Sequence, residues 1–174
     1  AAAIPYAYAN AAAAAGRKLP IYCTDRTGKV VSITFDAAWG DEDTDELIDI
    51  LDTYGVKATF FVVGDWVEKY PEYVKKIAGA GGIIGVCLAG GFLSDAKPAH
   101  LSDAVRHILH YLDIGLEKSI CIGADLDGAT PPEEIRNVSD MPRLFDALVS
   151  AGVSEQSAED IFFYNAERFI CRYM

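Results

Sequence analysis

Histidine is scarce in this chain: the 174 residues hold three, His100, His107 and His110, and none precedes position 100. A histidine-based zinc centre, which needs several such donors, is therefore excluded from the first half. The four cysteines, Cys23, Cys87, Cys121 and Cys171, make no CxxC pair, which argues against a zinc knuckle or a thioredoxin-type centre. Three of them lie in or beside apolar runs, where cysteine is ordinarily a small buried hydrophobe, so reduced structural thiols are expected. Positive charge is short as well: 15 Lys and Arg stand against 26 Asp and Glu, a formal net charge of −11. Nucleic acid and anionic membrane surfaces call for cationic patches, so neither is an expected partner. No apolar run reaches the roughly 20 residues of a membrane span. The alanine-rich opening, residues 1–16, lacks the basic start and hydrophobic centre of a signal peptide, and the cytoplasm is the expected compartment.

What the chain does have is alternation. Apolar residues make up 51% and charged residues 24%, the balance of a globular domain. We read residues 17–174 as a single α/β domain following the tail 1–16. Lys29 to Phe35 is β-branched and apolar, hence a strand. Asp43 to Tyr54 places Leu47, Ile48, Ile50 and Leu51 on a helical period, with acids in the first turn and Gly55 as a stop. Val56 to Gly64 reads as a second strand, apolar on both faces as in a covered parallel sheet. Trp66 and Val67 begin a turn, and Pro71 suits the first position of a helix running to about Ala78. Gly81 to Gly91 reads as a third strand, Leu101 to Leu112 as a helix, and Ser119 to Gly123 as a short fourth strand. Helices follow from Pro142 to Ser150 and, capped by Ser154, from there to about Arg172. The spacing thus predicts four βα units with parallel strands and a further C-terminal helix. They make half of an eight-stranded barrel or a small open flavodoxin-like sheet.

In such folds ligands gather at the carboxyl ends of the strands, and two aspartates stand there. Asp36 comes just after Phe35 at the end of the first strand in VSITFDAAWGDEDT, and Asp125 follows the fourth, with Asp127 two residues on. Either carboxylate can act as a general base on water or order its loop. His107 and His110, spaced i, i+3 on one helix, are near enough to share a metal, but they flank the stripe of Val105, Ile108, Leu109 and Leu112 and read as surface side chains. His100 stands where it can help cap that helix. The acidic run Asp41, Glu42, Asp43, Asp45 and Glu46 reads as a solvated helix start, because its spacing is not that of an EF-hand loop.

Two stretches resemble two hydrolase families. Residues 18–80, with TFD followed some twenty residues later by KATFFVVG, resemble the start of polysaccharide deacetylases of the NodB-homology, sporulation-associated type. The resemblance implies a divalent-metal enzyme acting on acetylated sugars, with Asp36 as catalytic base. The family's adjacent metal-binding aspartate is replaced by Ala37, and its HSxxH-type ligands are missing, since the chain there reads GGIIGVCLAGG. From about Gly82 to Met174 the chain resembles the C-terminal third of the membrane (renal) dipeptidase family. The IGADLDG turn, the PPE and VSDMP loops, the GVSE helix start and the NAERF segment fall in that family's order. That resemblance implies a zinc-dependent barrel with Asp125 as the catalytic aspartate, while the zinc ligands belong to stretches upstream of the part matched.

The joint near residues 79–82 therefore divides the domain into a deacetylase-like half, 17–80, and a dipeptidase-like half, 81–174, as in a chimera or composite. The expected function is that of a hydrolase-derived barrel fragment, without native catalysis because both sets of metal ligands are absent, and with no cofactor of its own. Two alternatives stay open. One is a residual metal-dependent deacetylase or dipeptidase using Asp36 or Asp125. The other is a structural subunit whose open sheet edges pair in a homodimer.

Overall fold

The computed structural model describes residues 31, 33–37, 40–56 and 58–173. The alanine-rich segment, Cys23 and the expected start of the first strand lie outside them. Strand β1 is Ile33–Ala37, so Asp36 is its penultimate residue rather than the first beyond it. Helix α1, Thr44–Thr53, carries Asp45 and Glu46 in its first turn, where carboxylates suit the helix dipole. Gly55 ends the turn after it at φ +61°, a conformation that costs glycine no Cβ clash. Leu47, Ile48 and Leu51 point toward the core, yet no residue of α1 is fully buried.

Strand β2, Ala58–Val62, buries Phe60 and Val62 on one face and leaves Phe61 47% exposed on the other. At β2 one face is covered, where the apolar run led us to expect two. Residues 64–69 correct a second expectation. Trp66 and Val67 do not make a turn but lie in helix α2, Gly64–Lys69. The physical reason is burial: both side chains are enclosed, and the indole N–H donates to the Gly40 carbonyl at 2.6 Å. Tyr70 breaks the helix, and Pro71 opens α3, Pro71–Gly79, as its fixed φ favours.

Strand β3 is only Ile84–Val86, much shorter than the run 81–91 suggested. Gly81 turns at φ +81° before it. After it the chain leaves the sheet to form α4, Gly90–Leu93, held by the Gly90 N–H donating to Thr130 O at 2.8 Å. Helix α5, Leu101–Asp113, leads to β4, Ile120–Ile122. A short 3₁₀ turn, Val138–Asp140, precedes α6, Met141–Ser150. The last expected helix is present in three parts: α7, Glu155–Glu159, a π-helical turn, Asp160–Tyr164, and α8, Asn165–Tyr173. The Ser154 hydroxyl caps α7 by accepting from the Ser157 N–H at 3.0 Å.

Among the described residues the sheet has four strands, all parallel, in the order β1-β2-β3-β4. This is an open partial barrel. In register, Phe35, Phe60, Ile84 and Ile120 form one cross-sheet row on the helix-covered face. The next row, Asp36, Phe61, Gly85 and Cys121, lies on the opposite face, because side chains alternate along a strand. That second face is the one a closed barrel would enclose. A crevice of about 310 Å³ remains beneath α1, between Ile48 and Leu51, Phe60, Ile77 and Phe169.

Candidate active site at the carboxyl rim

Asp125 is the best-placed candidate of the two aspartates. It lies three residues beyond β4 at φ +51°, the left-handed region that Asp enters more readily than most residues. Such strain costs on the order of 1–3 kcal/mol and tends to be retained at functional positions. The turn is tied by backbone: the Asp125 carbonyl accepts from the N–H groups of Gly128 (3.2 Å) and Ala129 (3.1 Å). A Cβ at Gly128 would lie 2.5 Å from Asp125 Oδ1, so a larger residue there would push the carboxylate away from its place over this turn. The loop is thus ordered by the main chain of Asp125, and its carboxylate takes no hydrogen bond from a described residue. It stands exposed at a pocket of about 640 Å³, walled by Ala89, Gly90, Phe92, Lys97 and Thr130.

One neighbour of Asp125 was not singled out by the sequence. Burial pushes the Cys87 thiol up, a hydrogen bond from the Ala89 N–H opposes this, and the Asp125 carboxylate adds to the rise. Cys87 is therefore a thiol, not a thiolate, at neutral pH, and a poor nucleophile. Its only sequence signal was its place in an apolar run, which read as that of a structural thiol. Burial alone pushes Cys121 up to about 11. Cys87, Cys121 and Cys171 are free, the last of them exposed.

Asp36 does not join Asp125. It lines a separate acidic crevice with Gly40, Asp41, Glu42 and Asp43. Three inter-strand steps separate β1 from β4, about 14 Å at the usual strand spacing. The histidines are elsewhere too. His100 precedes α5, its N–H donating to Asp103 at 2.9 Å and its ring 3.2 Å from Glu134. Glu134 also accepts from the Leu101 N–H at 2.8 Å, so the PPE loop completes the cap. His107 and His110 are half-buried rather than surface side chains. His107 bonds Leu93 O at 3.0 Å, in space that a Cβ at Gly64 would fill, 2.2 Å from the ring. His110 Nε2 is buried without a hydrogen-bond partner. Among the described residues no three His, Cys, Asp or Glu side chains group to hold a metal ion. The residues present do not fit the zinc site that the dipeptidase resemblance implies, and we derive no step through a metal.

The other residues that carried the resemblance fasten the fold. Asp140 is buried, accepts from the Arg136 N–H at 3.0 Å and lies between Arg136 and Arg143. Asn165, 3% exposed, donates to Glu117 O and Ile120 O at 2.8 and 2.7 Å, which ties α8 to β4. Buried Asp160 pairs with Lys118 and with Arg168.

An open parallel sheet with its pocket beyond the carboxyl ends of the strands is the geometry of part of an α/β barrel. The chain belongs to the membrane dipeptidase family, peptidase family M19, whose model matches residues 72–172. The polysaccharide deacetylase model matches residues 24–86, so the chain is a composite of segments from both families. It is 46% identical over 55 residues to a peptidoglycan-N-acetylglucosamine deacetylase of Bacillus cereus, covering 32% of this chain and 20% of that protein. It is 30% identical over 98 residues to an uncharacterized Klebsiella pneumoniae protein of the pqqA 5′ region, covering 54% and 36%. Among solved structures it resembles a family M19 dipeptidase (TM-score 0.54, 27% identity, 58% of this chain and 31% of that one). A Rhodobacter sphaeroides metallo peptidase liganded with a phosphinate mimic of L-Ala-D-Ala shares the fold (TM-score 0.61, 19% identity, 78% and 40%). The chain spans about a third or less of the length of these curated relatives.

Proposed function

We propose that these residues form the Asp125-bearing part of a dipeptidase-type barrel and do not, on their own, turn over a dipeptide or an acetylated sugar. The observation that supports this is the isolation of Asp125. It is the one carboxylate lining its pocket, three strands from Asp36, and it belongs to no group of three or more metal-ligating side chains among the described residues. A lone carboxylate can take a proton from water. Hydrolysis also needs that water activated and the developing oxyanion held, and no described side chain is arranged for either. Lys97, on the same pocket wall, supplies a charge suited to binding a substrate carboxylate rather than to chemistry.

The test is turnover by the purified chain, with and without added Zn²⁺, of L-Ala-D-Ala and of an N-acetylated sugar oligomer. Rates are expected to equal those of Asp125→Asn and Asp36→Asn. A zinc-dependent rate that either substitution abolishes would overturn the proposal and make that aspartate the proton-handling group.

A second reading is favoured by the sheet edges. β1 and β4 each have one side without a strand partner among the described residues, and the inner face bears exposed Phe61. A two-fold copy would set β1 beside the partner's β4 at both seams and complete eight strands, leaving no free edge. Sedimentation velocity over a hundredfold concentration range is expected to show a monomer–dimer equilibrium. A strict monomer at every concentration removes this reading.

A further inference from the structure

The end of the sheet opposite Asp125 carries a second pocket that hydrolase ancestry does not explain. It has a volume of about 320 Å³ and lies before the amino ends of β3 and β4. Its walls are Ile83, Lys118, Asn165, Arg168, Phe169 and Arg172. Three cations thus converge on one cavity in a chain whose net charge is −11. Asp160 pairs with two of them, Lys118 and Arg168, while exposed Arg172 has no acidic partner among the described residues. Three positive charges against one carboxylate leave two in excess at the pocket.

The arrangement is held from several sides. Asn165, anchored on the Glu117 and Ile120 carbonyls, accepts from Arg168 at 2.6 Å, so this guanidinium is fixed before any ligand arrives. A pre-set guanidinium loses less side-chain freedom on binding. Both Nη groups of Arg168 already serve Asp160 and Asn165, so Arg168 contributes charge, while Arg172 supplies the parallel N–H donors by which a guanidinium recognises phosphate. Ile83 and the Phe169 ring give the same cavity an apolar wall, and its volume falls at the lower end of the range for small-ligand sites.

We propose that this pocket binds a small phosphomonoester, its dianionic phosphoryl group held by Lys118, Arg168 and Arg172 and its organic part against Phe169 and Ile83. The site is independent of Asp125, so its failure would leave the reading of the carboxyl rim untouched.

The probes are inorganic phosphate and phenyl phosphate, titrated at constant ionic strength into ¹⁵N-labelled chain and followed by amide shifts. Saturable shifts are expected at residues 81–83, 118–119 and 165–172, with phenyl phosphate binding more tightly than phosphate. Arg172→Gln is expected to weaken phenyl phosphate about tenfold, the loss of one charge-assisted hydrogen bond. Arg143→Gln, on α6, is expected to leave affinity unchanged. Thermal melts of both variants report whether the fold is intact. Shifts that stay linear to 50 mM ligand, equal displacement by chloride, or unchanged affinity in a folded Arg172→Gln protein would each overturn the proposal.

Discussion

Replacing Trp66 by alanine is expected to destabilise the protein by about 4 kcal/mol, measured as the loss of unfolding free energy in urea. The indole is 1% exposed and packs against Tyr70 and Tyr73 at ring distances of 5.5 and 6.0 Å. Truncation removes that burial, opens a cavity and orphans the Gly40 carbonyl, which accepts the indole N–H. Trp66→Phe separates the contributions. It keeps most of the apolar area and loses the hydrogen bond, for an expected cost of about 1–2 kcal/mol. The functional interest lies in what the bond secures. Gly40 belongs to the crevice beside Asp36, so the indole pins the loop that follows that carboxylate. Equal losses for the two substitutions would show that the hydrogen bond, not packing, dominates.

Asp160→Asn is expected to cost about 2–3 kcal/mol at neutral pH. Asp160 is 3% exposed and joins the segment before β4 to α8 through Lys118 and Arg168. Those partners are themselves half-exposed or more and can turn to water once the carboxylate is gone, which keeps the cost below that of breaking a fully buried pair. The hydrogen bond from Lys118 holds the Asp160 carboxyl below the usual carboxylate range; burial works against it, and Arg168 adds to the lowering. The folded-state value is thus depressed relative to the unfolded one. Its stabilisation is present above about pH 4, where the unfolded carboxyl is already ionised, and is lost as pH falls through the folded value. Denaturation curves of the two proteins should therefore draw together below about pH 4. A gap that persists unchanged to the most acid pH would assign the loss to packing rather than to charge.

Much of the architecture was legible in the sequence, because the strands alternate with helices whose apolar period and stop signals are strong. Gly55, Pro71 and Ser154 do what their chemistry suggests. Two stretches misled. Around Trp66 the local pattern reads as a turn, but a tertiary contact with Gly40 decides the conformation. In GGIIGVCLAGG the apolar run reads as a strand throughout, whereas β3 ends at Val86 and Gly90 bonds to Thr130, forty residues on. The candidate site was legible as position, since a carboxylate after a strand of a parallel sheet faces the ligand end. It was not legible as geometry. That Asp36 and Asp125 occupy separate crevices follows from the strand order, and Cys87 meets Asp125 only through the pairing of β3 with β4. The histidines show the same limit: spacing alone made His107 and His110 a pair, whereas Leu93 claims one ring and burial the other.

The uniform parallel order has a consequence for how segments matching two family models fit one sheet. Every strand pairs in parallel with its sequence neighbour and is joined to it through helix, so exchanging one βα unit for a counterpart of the same length alters no connection. Only side chains at the seam must be reconciled, and the crevice beneath α1, where Ile48 and Leu51 of one segment face Phe169 of the other, is where that reconciliation is least finished. Joining segments within this architecture is thereby a local problem of filling space.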